Sequence, residues 1–322
     1  MLSEPGKKGP VISFEENSGK FIIFSDQHKG AHNGADDFAA SEPNYLAALD
    51  HYSRNDFFYI NLGDSEELWE NTLTQVKKAY PKTFEAEKKF VATDRFVKIY
   101  GNHDLFWDND PIAWWQLKRI YEKDVKIYEA ALLTTSIAGN PLHIFCSHGH
   151  QGDAKSDGNW FSKFFVARIW GPLQAYLRIN PNTPAYNREK KTLHNDIMYE
   201  WSSRQNNLLL ITGHTHQPVF TSLTHLESLY KQFQFAFDKK NDEQVEDLKT
   251  QIRKIEKNFT AVSVDYMHMK PSYFNSGCCC FSDGDITGIE IADGFIRLIK
   301  WTWKEERSQR EVLESAPLRE LV

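Results

Sequence analysis

Phe96-Val97-Lys98-Ile99-Tyr100-Gly101-Asn102-His103-Asp104 is an apolar run that breaks off into a glycine and three side chains able to hold a cation or move a proton. Four other stretches share that plan. Phe21-Ile22-Ile23-Phe24 precedes Ser25-Asp26-Gln27-His28, and Phe57-Phe58-Tyr59-Ile60 precedes Asn61-Leu62-Gly63-Asp64. Leu142-His143-Ile144-Phe145-Cys146 leads to Ser147-His148-Gly149-His150, and Leu208-Leu209-Leu210-Ile211 to Thr212-Gly213-His214-Thr215-His216. Each reads as a buried strand opening into a tight loop. Helical patterns lie between them, around Tyr45 to Tyr52 and Thr83 to Val91. The alternation predicts an α/β sandwich. Ligands in such sheets gather at the carboxyl ends of strands, which is where all five polar clusters fall.

The composition is that of a soluble globular protein. Its 322 residues are 41% hydrophobic and 25% charged, the proportions of a globular protein with ample core. Lys and Arg number 38 against 44 Asp and Glu, a net charge of -6, so nucleic acid is not an expected partner. The four cysteines, Cys146 and the run Cys278-Cys279-Cys280, fit neither a disulfide framework nor a zinc-finger spacing, which favours a reducing compartment. Met1 to Pro10 is polar and no run of about 18 apolar residues occurs. The expected location is cytoplasmic, with peripheral membrane contact left open.

Two segments read as insertions into a main domain spanning 18–310. Residues 155–205 form an aromatic-rich helical cap carrying Trp160, Phe161, Phe164, Phe165, Trp170 and Tyr176. If the cap is a lid, its apolar face, edged by Lys163, Arg168 and Arg178, would meet an acyl chain or a membrane surface. Residues 223–258 read as a charged helical hairpin, a solvated insertion or a homodimer arm. Tyr273 to Trp303 returns to strand patterns, with turns at Ser282-Asp283-Gly284-Asp285 and Ala292-Asp293-Gly294. The last dozen residues read as a tail.

Asp26 and His28 alternate by two, so on a continuing strand both would face one side. Asp64 follows a glycine that lets the chain turn sharply, Asn102 offers a neutral carbonyl oxygen, and His148, His214 and His216 offer imidazoles. Such a nitrogen and oxygen set suits manganese, iron, zinc or nickel better than calcium or magnesium. Seven ligands exceed the need of one open ion and suit two divalent transition-metal ions sharing a carboxylate. Two ions ~3.5–4 Å apart form a clamp for displacement at phosphorus and make hydroxide available near neutral pH.

The set resembles the calcineurin-like metallophosphoesterases. Asp26-x-His28, Gly63-Asp64, Gly101-Asn102-His103-Asp104, His148-Gly149 and Gly213-His214-x-His216 match that superfamily's motifs in order and approximate spacing over roughly residues 20 to 300. The resemblance implies a four-layer αββα sandwich with helical insertions. It also implies that Asp26, His28 and His216 bind one metal, that Asp64 bridges, and that Asn102, His148 and His214 bind the other. His103 is then the general acid, with Asp104 holding its ring, and a metal-bridging hydroxide attacks a phosphomonoester or phosphodiester. The second motif carries Glu67 where the family often has Asp. Glu66-Glu67-Leu68-Trp69, Gly152-Asp153, Gly213 to Pro218 and Tyr273 to Gly277 are similar to the UDP-2,3-diacylglucosamine hydrolases, although that branch typically has Arg in place of His103. The alternatives are therefore a membrane-associated pyrophosphatase of a lipid-linked nucleotide sugar and a non-catalytic scaffold of the same fold.

His150 is the alternative to His148 as a ligand; His148 is preferred because it directly follows its strand. His150, Asp153 and His32 lie just beyond ligand motifs and are candidate substrate contacts. His194 and His268 read as satisfied or surface histidines, with substrate contact as the alternative. The cysteine run reads as a strand near the site with no assigned role.

Overall fold

A computed structural model describes residues 9–150, 188–255 and 269–321 of the chain. At its centre run three parallel strands, β2 (Phe21–Phe24), β3 (Phe58–Leu62) and β4 (Phe96–Ile99). The short β5 (Ile127–Tyr128) continues this sheet on one side. On the other, β12 (Ile286–Ala292), β13 (Phe295–Lys304) and β14 (Arg307–Pro317) join antiparallel, giving the order β14-β13-β12-β2-β3-β4-β5.

A second seven-stranded sheet has the order β1-β6-β7-β8-β11-β9-β10. Its members are β1 (Val11–Ser13), β6 (Ala130–Ile137), β7 (Asn140–Ser147), β8 (Leu208–Thr212), β9 (Val219–Phe220), β10 (Leu223–Thr224) and β11 (Tyr273–Asn275).

The period of two decides which side chain enters which layer. Phe21, Ile23, Ile60, Val97 and Ile99 point inward and meet Leu133, Ile144, Cys146, Leu209 and Ile211 of the second sheet in one core. Ile22, Phe24 and Tyr59 point outward into a second core under the helices. There α1 (Glu42–Arg54) buries Tyr45, Ala48, Leu49 and Tyr52, the i, i+3, i+4, i+7 stripe of an amphipathic helix, with Glu42 in its first turn and Arg54 in its last. After the short α2 (Leu73–Ala79), α3 (Pro81–Ala92) lies beside α1; the one-turn α4 (Phe106–Asn109) then leads to α5 (Ala113–Tyr121). On the outer face of the second sheet, α6 (Arg188–Ser203) sets Met198 and Trp201 against Phe145, Leu210 and Tyr273. Helix, sheet, sheet, helix is the four-layer sandwich the motifs implied.

Among the described residues two further helices, α7 (His225–Asp238) and α8 (Asp242–Ile255), pack on each other through Leu226, Leu229, Ala236, Val245, Leu248 and Ile252. Of the 155–205 span only α6 and the few residues after it are described. Residues 155–187, with the aromatic and basic side chains named above, and likewise Asp153 and His268, lie outside the described residues. No helix among those described is long and apolar enough to cross a membrane.

One expectation is corrected. The last residues are not a tail: β14 pairs with β13 from Phe295↔Pro317 to Lys304↔Arg307, and Leu318 is wholly buried. The strand was hard to see because it is an edge strand with polar residues on both faces. Its turn, Glu305-Glu306, takes positive φ at both positions with neither Gly nor Asn to announce it.

Candidate metal centre

Beyond β2, β3 and β4 the chain keeps pairing for a few residues. Asp26 N–H donates to Gly63 O (3.0 Å), His28 N–H to Asp64 O (3.0 Å) and Lys29 N–H to Ser65 O (3.1 Å). The shared side of Asp26 and His28 does not come from strand alternation, as the sequence suggested. β2 ends at Phe24, and both residues sit at positive φ, 53° and 49°. Asp64, His214 and His216 also take positive φ. Backbone of this kind costs energy in residues with a Cβ and persists where surrounding contacts over-determine it.

Two glycines let the loops close. Gly63 has φ +97°, and a Cβ there would lie 2.7 Å from Gly101 N. A Cβ on Gly101 would strike the Asp64 carboxylate. The second sheet is tied in by His214 N–H, which donates to both Asp26 carboxylate oxygens at 3.1 and 2.9 Å. Cys279 N–H donates to Asp26 O at 3.1 Å, and the Ser25 hydroxyl bonds both Asp26 Oδ2 and Ser276 Oγ.

The result is one cluster in which Asp64 belongs to two groups. Donor atoms of Asp26, His28 and Asp64 lie within 4.8 Å of one another, and so do those of Asp64, His148 and His214. His148 Nε2 is 3.1 Å from Asp64 Oδ2, His216 Nε2 is 3.3 Å from Asp26 Oδ1, and His28 Nε2 is 3.1 Å from His216 Nε2. Burial opposes charge on Asp64, but the neighbouring His148, His103 and His28 imidazoles outweigh it and hold its carboxyl well below the usual range. Burial likewise opposes protonation of His148, yet Asp64 and Asp26 carry it up to about 9.

This donor set fits divalent cations. Two imidazole nitrogens face each other at hydrogen-bond distance, which an intervening cation satisfies better than a shared proton. His148 Nε2 is fully buried and, though close to Asp64, is not aligned for a hydrogen bond; Asn102 Oδ1 is buried without a hydrogen-bond partner. Buried polar atoms of this kind are uncommon unless a ligand completes them.

The outer partners are specific. His148 Nδ1 donates to Leu62 O at 2.9 Å, which aims Nε2 inward. Glu67 Oε2 takes both His28 Nδ1, at 3.3 Å, and His103 Nδ1, at 2.6 Å. His103 lies edge-on to His28, with ring centroids 4.6 Å apart, and stacked on Trp69 at 4.0 Å. Burial works against protonating His103; Asp64 and Glu67 override it and raise its pKa.

Two sequence expectations change. Asp104 does not hold the His103 ring. It is wholly buried and accepts from Gly101 N–H (2.6 Å) and Ser65 N–H (2.9 Å), bracing two loops, while Glu67 takes the orienting role. His32 turns away: its ring packs on Tyr80 at 4.6 Å, Nδ1 faces the Tyr80 hydroxyl (3.2 Å), and Nε2 faces Ala79 O (3.3 Å). Its positive φ of 54° swings the side chain toward the end of α2. His194 is buried on α6, hydrogen-bonded to the Gly149 backbone, with its ring 5.2 Å from His214.

His150 is buried beside His148, with centroids 5.2 Å apart, and its Nδ1 lacks a hydrogen-bond partner; burial first, then the charge of His148, pushes its pKa down to about 3. Trp69 and Ser276 lie beyond the ligand motifs and were given no role; Ser25 precedes Asp26 within its motif, and the cysteine run, expected on a strand near the site, follows β11 in a loop outside any strand.

The profile of the calcineurin-like phosphoesterases matches residues 19–218. No curated protein matches the sequence significantly. Among solved structures the chain is similar to vacuolar protein sorting 29 from Cryptosporidium parvum, at 10% identity and TM-score 0.36, covering 94% of this chain and 99% of that one. It is also similar to a dimetal phosphatase from Danio rerio, at 9% identity and TM-score 0.39, covering 92% and 100%. A third is wild-type Vps29 from Entamoeba histolytica complexed with zinc, at 12% identity and TM-score 0.32, covering 92% and 99%.

Proposed function

The chain belongs to the calcineurin-like phosphoesterase family, and from that premise we propose that it is a dinuclear metal-dependent hydrolase of phosphomonoesters or phosphodiesters with His103 as general acid. The observation that carries this reading is the sharing of Asp64 between two groups of donors. Asp26, His28 and His216 would hold one divalent ion, Asn102, His148 and His214 the other, and Asp64 both. Bound there, two such ions supply Lewis acidity at phosphorus and lower the pKa of water toward neutrality.

The protein's own groups divide the remaining work. His103 donates the proton that the leaving oxygen needs. Glu67 on Nδ1 fixes its tautomer so that Nε2 carries the transferable proton, and Trp69 against the ring face fixes its plane. Asp104 keeps the loops of Asp64 and Asn102 in register. The Nδ1 of His150, buried and without a hydrogen-bond partner, is a donor for a substrate oxygen.

The test is a comparison of leaving groups in metal-loaded enzyme. His103→Ala should lower turnover of an alkyl phosphate by about 10²–10⁴-fold, and that of p-nitrophenyl phosphate far less, because a good leaving group needs little protonation. Equal losses on both substrates would remove the acid role. Elemental analysis of reconstituted wild-type protein should find two ions per chain; a content well below one would remove the dinuclear reading.

A further inference from the structure

Three imidazoles of the cluster, those of His148, His28 and His216, have a partner at the far nitrogen, as a ring that offers Nε2 to a cation must keep its proton on Nδ1 and give that proton an acceptor. For His148 the acceptor is the Leu62 carbonyl, 2.9 Å away, and for His28 it is the Glu67 carboxylate, 3.3 Å away. For His216 the atom in this position is a sulfur: Cys280 Sγ lies 3.7 Å from Nδ1, within reach of an N–H donating to sulfur. On the opposite side of the same ring, Nε2 faces His28 Nε2 and Asp26 Oδ1. Donor atoms of Cys280, His28 and His216 also lie within 4.8 Å of one another, and on the Nδ1 side of the His216 ring the sulfur is an acceptor for the proton that ligation through Nε2 leaves there.

We propose that Cys280 is a positioning residue, whose sulfur accepts a hydrogen bond from His216 Nδ1–H and holds the ring with Nε2 turned into the first cation site. The proposal rests on the assignment of His216 as a ligand made above. The placement of Cys280 is built into the backbone. Cys279 N–H donates to Asp26 O (3.1 Å), Thr287 N–H to Cys278 O (3.0 Å), and Ser276 Oγ meets Ser25 Oγ (2.7 Å). The cysteine run is therefore strapped to the Asp26 loop and to β12; Cys280, partly buried where Cys278 and Cys279 are fully buried, has its sulfur 3.7 Å from Nδ1, and because Cys278 also interacts with the His216 ring the two sulfurs are compared below. A sulfur suits the span: at 3.7 Å an oxygen acceptor would be out of range.

The experiment has two readouts, each made on wild type, Cys280→Ala, Cys280→Val and Cys278→Ala. The valine variant keeps side-chain bulk while removing the acceptor, and serves in place of the alanine variant should that one fail to fold. The first readout is the ¹⁵N spectrum of the histidine rings in metal-free protein, with His216 assigned from its loss in His216→Gln. The His216 Nδ1 resonance should move in both Cys280 variants while His148 and His28 stay in place. The second is manganese binding by calorimetry, in which the Cys280 variants should bind one of the two ions about 10–100-fold more weakly and the other as wild type does. A His216 resonance that stays unmoved in both Cys280 variants, or that moves only in Cys278→Ala, overturns the proposal. A resonance that moves as expected in a protein that binds no manganese leaves the Cys280–His216 bond standing and removes the dinuclear reading instead.

Discussion

Glu67 serves two histidines with one oxygen, Oε2, which takes the Nδ1 of His28 and of His103. Replacing it by glutamine removes the carboxylate charge from both bonds and leaves one amide oxygen to accept from two rings. Glu67→Gln should therefore lower kcat by about 10–100-fold and weaken one metal at the same time, read by steady-state turnover beside metal titration. Trp69→Ala touches only the ring plane of His103; a stacking contact worth about 1 kcal/mol predicts a fall of roughly fivefold in kcat with metal content unchanged. Asp104 differs from both, since it is a brace. Asp104→Ala leaves the Gly101 and Ser65 N–H groups without their carboxylate and should cost about 3 kcal/mol in urea unfolding.

Among the elements, the tie between β2, β3, β4 and α3 is ionic and wholly buried. Glu66 receives Lys98 from β4 at 2.9 Å and Lys29 from the loop after β2 at 3.3 Å, and Lys29 continues to Glu87 of α3 at 2.9 Å. The Tyr45 and Tyr121 hydroxyls complete Glu87, so each charge has partners. Removing one member strands another: Lys98→Met should destabilise by about 3–5 kcal/mol, and Glu66→Gln in the same chain should recover part of it, measured as a double-mutant cycle in urea. On the far sheet, Trp201 of α6 packs in one apolar cluster with Phe145 and Leu210, and Trp201→Ala should cost about 3–5 kcal/mol. The turns at this scale also explain what was legible. Asp293-Gly294 joins β12 to β13 with two positive φ values and the residues that favour them. Thr221-Ser222 between β9 and β10 and Glu305-Glu306 between β13 and β14 use the same backbone without those residues, so their hairpins stayed hidden.

At the scale of the whole molecule the candidate metal centre lies where the two sheets meet. Asp26, Asp64 and Asn102 extend from strands of one sheet; His148 and the His214–His216 loop extend from strands of the other. Cations held there would cross-link the halves of the sandwich and act as ligands of the folded state only. Saturating manganese at about 100 times its Kd should add roughly 2.7 kcal/mol per site, and a chelator should lower the melting temperature correspondingly. A melting temperature indifferent to both would place the ligands on elements that do not need each other.

The strands, their order of polar endings and the ligand types were readable in the linear chain because a period of two and a strand-terminal loop are local properties. Which carboxylate orients which ring was not. Glu67 rather than Asp104 reaches His103, His32 swings to Tyr80, and Cys280 comes to His216 from 64 residues away, all through left-handed backbone and contacts between sheets. Sequence spacing carries the identity of the donors, while the direction each donor points depends on φ values and neighbours that only the folded chain brings together.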